Sequence, residues 1–273
     1  WARIEPAPGQ RDEGAVEHYR DILIAARAAG VSPWVSLHHF TLPRWFADIG
    51  GFLVDVNRTG AWARHVDFIA DTYGDLVAGW QPINETNYYS HAAYGGHGWP
   101  PGTNNSDERA QDDETMQLAN AEAAIRLRQT GAPVASIFGL SAFVTQDDDP
   151  SSASLVEHLY ASLWDPGLGL FRDGVLQVPG RTRVERPDLA GAFDMIGFSY
   201  YSTTGASVWE NAQPTFRATA TGHAALGHNG NLINAARLKK VGVKELIGVA
   251  EPRRSEVDAV LCSEKRTAGT GAG

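Results

Sequence analysis

The chain has 273 residues, 43% of them hydrophobic and 20% charged, which suits one large globular domain or at most two smaller ones and excludes disorder throughout. With 23 Lys and Arg against 32 Asp and Glu the net charge is -9, so a polyphosphate backbone is repelled and nucleic acid is not an expected partner. No run of about eighteen apolar residues occurs, so no membrane-spanning helix is expected. The one cysteine, Cys262, excludes an internal disulfide and a zinc site of thiolates alone, and a reducing, cytoplasmic location fits it. The sequence opens at Trp1 with neither a basic nor an apolar leader, and reads as beginning in mid-protein.

Asp12 can cap a helix in which Ala15, Val16, Tyr19, Leu23 and Ala26 recur at three- and four-residue spacing until Gly30. Val31 to Phe40 follows as a short branched and aromatic run, predicted as a buried strand that ends in polar, chemically capable side chains. A second helix is predicted from about Gly60 to Tyr73 and a second strand from Leu76 to Ile83. Asn87 to Asp107, crowded with Gly, Tyr, Asn and Pro, is predicted as a long loop. A helix from about Asp113 to Gln129, a strand over Pro133 to Phe138, a helix from Ser152 to Trp164, an irregular stretch and a strand over Phe193 to Tyr201 complete the pattern. Strands alternating with helices imply parallel strands with right-handed crossovers, hence an α/β fold. His, Asn, Glu and Tyr at successive strand ends favour a β/α barrel, and no Gly-rich phosphate turn supports a nucleotide-binding sheet. Beyond about Ser202 the periodicity fades, and the closing Thr267 to Gly273 is predicted to be flexible.

Glu85 ends the apolar run of Trp80-Gln-Pro-Ile-Asn-Glu-Thr86. A carboxyl withdrawn from water at such a place can hold and deliver a proton near neutrality, although a surface Glu opening a loop gives the same pattern. Of His38 and His39, alternation turns one ring toward a barrel axis. By spacing the pair could bind hydroxyls, serve structure, or form half of a metal site that lacks further ligands.

Trp1-Ala-Arg-Ile-Glu-Pro6, Leu37-His-His-Phe-Thr-Leu-Pro-Arg-Trp45, Trp80-Gln-Pro-Ile-Asn-Glu85 and Phe193-Asp-Met-Ile-Gly-Phe-Ser-Tyr-Tyr201 resemble, in order, four motifs of family 1 glycoside hydrolases of the β-glucosidase type. The resemblance covers residues 1–202 and implies a retaining β-glycosidase acting on carbohydrate without a metal or organic cofactor. By that resemblance Glu85 is the general acid/base, Asn84 holds the sugar 2-hydroxyl, His39 binds a sugar hydroxyl, and Tyr201 steadies the nucleophile. Trp99, Tyr88 and Tyr94 offer faces that could stack on a sugar ring or simply pack the loop. The resemblance begins at the second barrel strand, and Ser199 stands where most members carry Asn. The family's nucleophile motif, Thr-Glu-Asn-Gly-like, does not occur in the sequence. Glu251, ending Leu246-Ile-Gly-Val-Ala-Glu251, falls roughly where that nucleophile would, but Pro252-Arg253-Arg254 after it is unlike the family.

Tyr201-Ser-Thr-Thr-Gly-Ala-Ser-Val-Trp-Glu-Asn-Ala-Gln-Pro-Thr-Phe216 and Gly227-His-Asn-Gly-Asn-Leu-Ile-Asn-Ala-Ala236 resemble the glutaminase domain of amidophosphoribosyltransferase. Asn229 and Gly230 would then be its oxyanion-stabilising pair. That reaction needs an N-terminal cysteine, where this sequence has Trp1, and a substrate-binding Arg, where it has Tyr200. The expectation is an incomplete (β/α)8 barrel of about five strands over residues 1–202, followed by an amidotransferase-like or loosely structured segment over 203–273. The expected activity is β-glucosidase-like hydrolysis without the nucleophile strand. The alternatives are a non-catalytic sugar-binding remnant and a glutamine amidotransferase fragment.

Overall fold

The computed structural model describes residues 1–145, 148, 150–206, 215–219 and 222–226; among the described strand residues, the side chains of 140, 200–202, 204, 206, 215–219 and 222–226 lie outside the description. The chain divides into two compact units, Trp1–Gly139 with Leu159–Ser199, and Leu140–His158 with Tyr200–Gly273.

In the first unit Trp1 to Glu5 form a turn, with the amides of Ile4 and Glu5 both donating to the Trp1 carbonyl at 3.0 Å. Helix α1 (Glu13–Ala28) starts where it should, because the Asp12 carboxylate accepts the Ala15 N–H at 2.9 Å. Strand β1 (Trp34–His38) leads into α2 (Arg44–Asp48), the single turn α3 (Asp55–Asn57), a π-helical turn over Arg58–Trp62 and α4 (Ala63–Tyr73). Strand β2 (Gly79–Ile83) pairs parallel with β1, Trp34 opposite Gly79 and His38 opposite Ile83.

After β2 comes the largest departure from the sequence reading. The first part of the expected loop is helix α5 (Thr86–Tyr94), and the next helix, α6 (Ser106–Arg128), starts seven residues before the expected Asp113. Burial outweighs the loop-like composition: Tyr89, Ser90, Ala92 and Ala93 are all buried, and Ser90 Oγ donates to Asp112 Oδ2 of α6 at 2.8 Å. Asn105 caps α6 by accepting the Asp107 and Glu108 amides. Strand β3 (Ala135–Thr145) joins β2 through parallel bridges at Trp80–Val134 and Asn84–Ile137. Helices α7 (Pro150–Leu163) and α8 (Asp165–Asp173) follow, then the short antiparallel pair β4 (Val175–Leu176) and β5 (Val184–Glu185), and finally β6 (Met195–Ala206), a neighbour of β3.

The core of this unit is aromatic. Trp62, Phe46, Phe52 and Trp80 are fully buried, Trp62 Nε1 donates to the Ala119 carbonyl of α6 at 3.1 Å, and Phe52 meets both Phe46 and Trp62 edge to face. This packing fixes α4 and α6 on the outer face of β1 and β2 and leaves the carboxyl ends of those strands for chemistry. The second unit holds residues 140–145 of β3, 150–158 of α7 and 200–206 of β6, together with β7 (Thr215–Thr219) and β8 (Gly222–Leu226), which form an antiparallel hairpin.

Candidate active site

Among the described residues two non-glycine residues have a left-handed backbone, Phe40 (φ 66) and Glu85 (φ 48), and they stand just past the ends of β1 and β2. Such a backbone costs about 1–3 kcal/mol at a non-glycine position and persists only where its surroundings impose it. At Glu85 the imposing contacts are visible. Its N–H donates to the Ile137 carbonyl of β3 at 3.0 Å, while its own carbonyl accepts the Tyr88 and Tyr89 amides of α5 at 2.9 and 3.2 Å. Glu85 thus belongs at once to the end of the sheet and to the first turn of α5, and its side chain is only 3% exposed.

Asn84 is also buried. Its N–H donates to the His38 carbonyl at 2.9 Å, and its Oδ1 accepts from Gln81 Nε2 at 2.6 Å. Asn84 and Glu85 therefore come together at the tip of β2, beside the end of β1. The two histidines part company as alternation requires. His38 is 1% exposed, edge-on to Tyr89 and Phe52, and burial pushes its imidazole down to about 3, so it is a neutral core residue. His39 is exposed at the strand end, its ring edge-on to Phe40 at 4.9 Å.

Aromatic rings gather here. Phe40 lies 4.8 Å from Trp99 and Trp99 lies 6.1 Å from Tyr88, which is half exposed and whose phenol is raised by burial and then by the charge of Glu85. Tyr94, by contrast, is buried with Asp112 as its electrostatic neighbour, so of the three rings considered for stacking it serves packing. Tyr201 belongs by its backbone to β6, in the second unit, and its side chain lies outside the described residues. Glu251, Asn229, Gly230 and Cys262 also lie outside them. Among the described residues, no group of three or more His, Cys, Asp or Glu side chains gathers in a way that could hold a metal ion, and no helix is long and apolar enough to cross a membrane.

Sequence reasoning passed over Asn120 and Asn87. Asn120, on the buried face of α6, accepts the Ile83 N–H at 3.1 Å and donates to Ser136 Oγ at 3.2 Å, tying β2 to β3 just ahead of Asn84. The available signal was an amide on the inward face of a helix, where an unsatisfied polar group would be costly.

Parallel strands β1 and β2, with β3 bridged to β2, thus bring one buried carboxyl and a buried amide together at their carboxyl ends, the α/β arrangement in which β/α-barrel enzymes carry their sites. Residues 1–165 match the model of Glycosyl hydrolase family 1, and the chain belongs to that family. An Arabidopsis thaliana relative named "Probable inactive beta-glucosidase 25" is 25% identical over 248 residues, covering 78% of this chain and 46% of the relative. In fold the chain is similar to a β-glycosidase from Pyrococcus horikoshii, with a TM-score of 0.65 at 22% identity, covering 84% of this chain and 52% of that one. A 44-residue segment is 68% identical to amidophosphoribosyltransferase of Mycobacterium tuberculosis, 16% of this chain and 8% of the relative. The chain therefore spans about half the length of the β-glucosidase relative and of the structural neighbour.

Proposed function

We propose that residues 1–202 carry the acid/base half of a β-glucosidase-type cleft and act on carbohydrate, and that residues 203–273 are a separate, amidotransferase-derived segment. The seat of Glu85 carries the reading: a carboxyl buried at a strand's carboxyl end, on a strained backbone, beside a buried amide. In this reading the Glu85 carboxyl gives its proton to the glycosidic oxygen as the bond to the anomeric carbon breaks. Asn84 holds the sugar 2-hydroxyl, and His39 binds a further hydroxyl from its exposed position. Phe40, Trp99 and Tyr88 provide a ring-lined border to the site. A cytoplasmic location fits the single cysteine, and the charge of -9 disfavours nucleic acid as a partner.

The retaining reaction needs a second carboxylate about 5 Å from the first. The sequence contains no Thr-Glu-Asn-Gly motif, and the Arabidopsis thaliana relative is named inactive, which favours a second reading in which the cleft binds sugar without turning it over. Azide separates the two. Acting in place of the missing carboxylate, it would attack the anomeric carbon of 4-methylumbelliferyl β-glucoside from the face opposite the aglycone. The products would be α-glucosyl azide and 4-methylumbelliferone carrying the Glu85 proton. The expected outcome is azide-dependent fluorescence, lowered about 10²-fold or more by Glu85→Gln. Without azide-dependent release from the intact chain, the catalytic reading fails, and saturation-transfer NMR with methyl β-glucoside then decides the binding one.

A further inference from the structure

We infer that Asn87 and Gly139 are positioning residues that fix the Glu85 carboxyl; the inference rests on the acid/base reading of Glu85. The ladder between β2 and β3 runs through Asn84 and Ile137 and ends with the Glu85 N–H on the Ile137 carbonyl. At Glu85 the backbone turns left-handed and leaves the sheet to enter α5. β3 continues, so Gly139, two residues beyond Ile137, faces a position from which the main chain of β2 has departed.

The side chain of Asn87 fills it. Its Nδ2 donates to the Gly139 carbonyl at 2.9 Å and its Oδ1 accepts the Gly139 N–H at 2.9 Å. One planar amide reproduces the donor and acceptor pair that a strand residue would have offered, and Asn87 is buried, so water does not compete for either bond. An Asp there would keep the acceptor but set a negative charge against the Gly139 carbonyl, and an Ala would satisfy neither group.

Gly139 in turn bears on the carboxyl. A Cβ built on it would lie 3.3 Å from both Cδ and Oε2 of Glu85 and 3.6 Å from its Cγ. The Glu85 carboxyl therefore lies directly over the Gly139 backbone, at a distance that leaves no room for a methyl group without movement. Glu85 holds the first turn of α5, Asn87 in that turn holds Gly139, and Gly139 forms the surface under Glu85. This closed circuit confines a proton donor to a narrow range of positions, which is where catalytic rate is most sensitive.

The test uses the full chain with Asn87→Ala and Gly139→Ala, the second leaving both amide bonds in place while crowding the carboxyl. Two readouts are taken at a temperature well below the melting of each variant. One is carbodiimide labelling of carboxyls with an amine nucleophile, mapped by peptide mass spectrometry, with buried Asp112 on the neighbouring helix as internal standard. The other is kcat and KM in the azide assay. The expected result is a labelling rate at Glu85 changed about tenfold in both variants with Asp112 unchanged. With it goes a loss of about tenfold or more in kcat with KM held within about twofold. Unaltered Glu85 labelling in both variants overturns the inference, as does Asp112 rising in parallel, which would mark a purely structural role. If the intact chain shows no azide-dependent turnover, it is the hydrolase reading that fails, and the labelling alone decides the role of Asn87 and Gly139.

Discussion

Asp112 and Asp113 are neighbours on α6 and both are buried, an arrangement tolerated only with compensation. Ser90 Oγ donates to Asp112 at 2.8 Å and Gln117 Nε2 to Asp113 at 3.1 Å, yet burial dominates and raises each carboxyl to about 7 from 3.8. Between those two values the folded chain holds more protons than the unfolded one. The stability these groups contribute is therefore complete below about pH 4 and is lost as pH rises through about 7. Asp112→Asn keeps an acceptor for Ser90 and removes one of the two titrations. Above pH 7 it is expected to be more stable than the parent by about 2 kcal/mol, with the difference shrinking toward pH 4. Thermal melts of both proteins across that range check this, and curves that stay parallel contradict it. Glu85 and His38 show the same scale from the side of the sequence: alternation foretold that one histidine would turn inward, but which one required the register of β1 against β2.

Among the elements, β1 and β2 were legible because apolar and branched residues cluster there, and α1 because Asp12 and Gly30 bracket a clear stripe. Helix α5 was not legible. Its sequence, TNYYSHAAY, carries no strong helical stripe, and what holds it is the burial of Tyr89, Ala92 and Ala93 together with the Ser90 bond to α6. Glycine has a similar hidden role in α8. Ala would ordinarily improve a helix by about 1 kcal/mol over Gly. At Gly167, however, a Cβ would fall 2.6 Å from the ring of Phe138, itself buried and stacked on Trp164 at 5.7 Å, and 3.0 Å from Gln117. Overpacking of about 1–3 kcal/mol then outweighs the propensity gain. Gly167→Ala is expected to lower stability by about 1–2 kcal/mol in urea unfolding; a stabilised variant would show that Phe138 is free to move.

At the scale of the whole chain, Trp34 and the start of β6 leave large apolar side chains open, Phe198 being 64% exposed with Met195 and Ile196 near it. Among the described residues the edge of β1 away from β2 has no strand partner. Unpaired edges and open apolar side chains favour association over solution as a monomer, against which a net charge of -9 is a weak defence. Sedimentation velocity is expected to show self-association that grows with concentration and is reduced by Phe198→Lys. A single monomeric boundary at all concentrations, in parent and variant alike, would contradict this.

The order of four short motifs was enough, by itself, to place the chain in its family and to single out Glu85, because a family's chemistry is written in residue types at strand ends. Spacing along the chain cannot say how a carboxyl is held. The helix that replaces a loop after Glu85 depends on α6, which sets Asp112 against Ser90, while the left-handed turn at Glu85 and the amide of Asn87 standing in for a strand residue beside Gly139 depend on partners in β3 some fifty residues away. Those partners meet only when β3 is laid against β2, since burial and hydrogen-bond satisfaction are properties of the assembled fold and not of any local stretch of sequence.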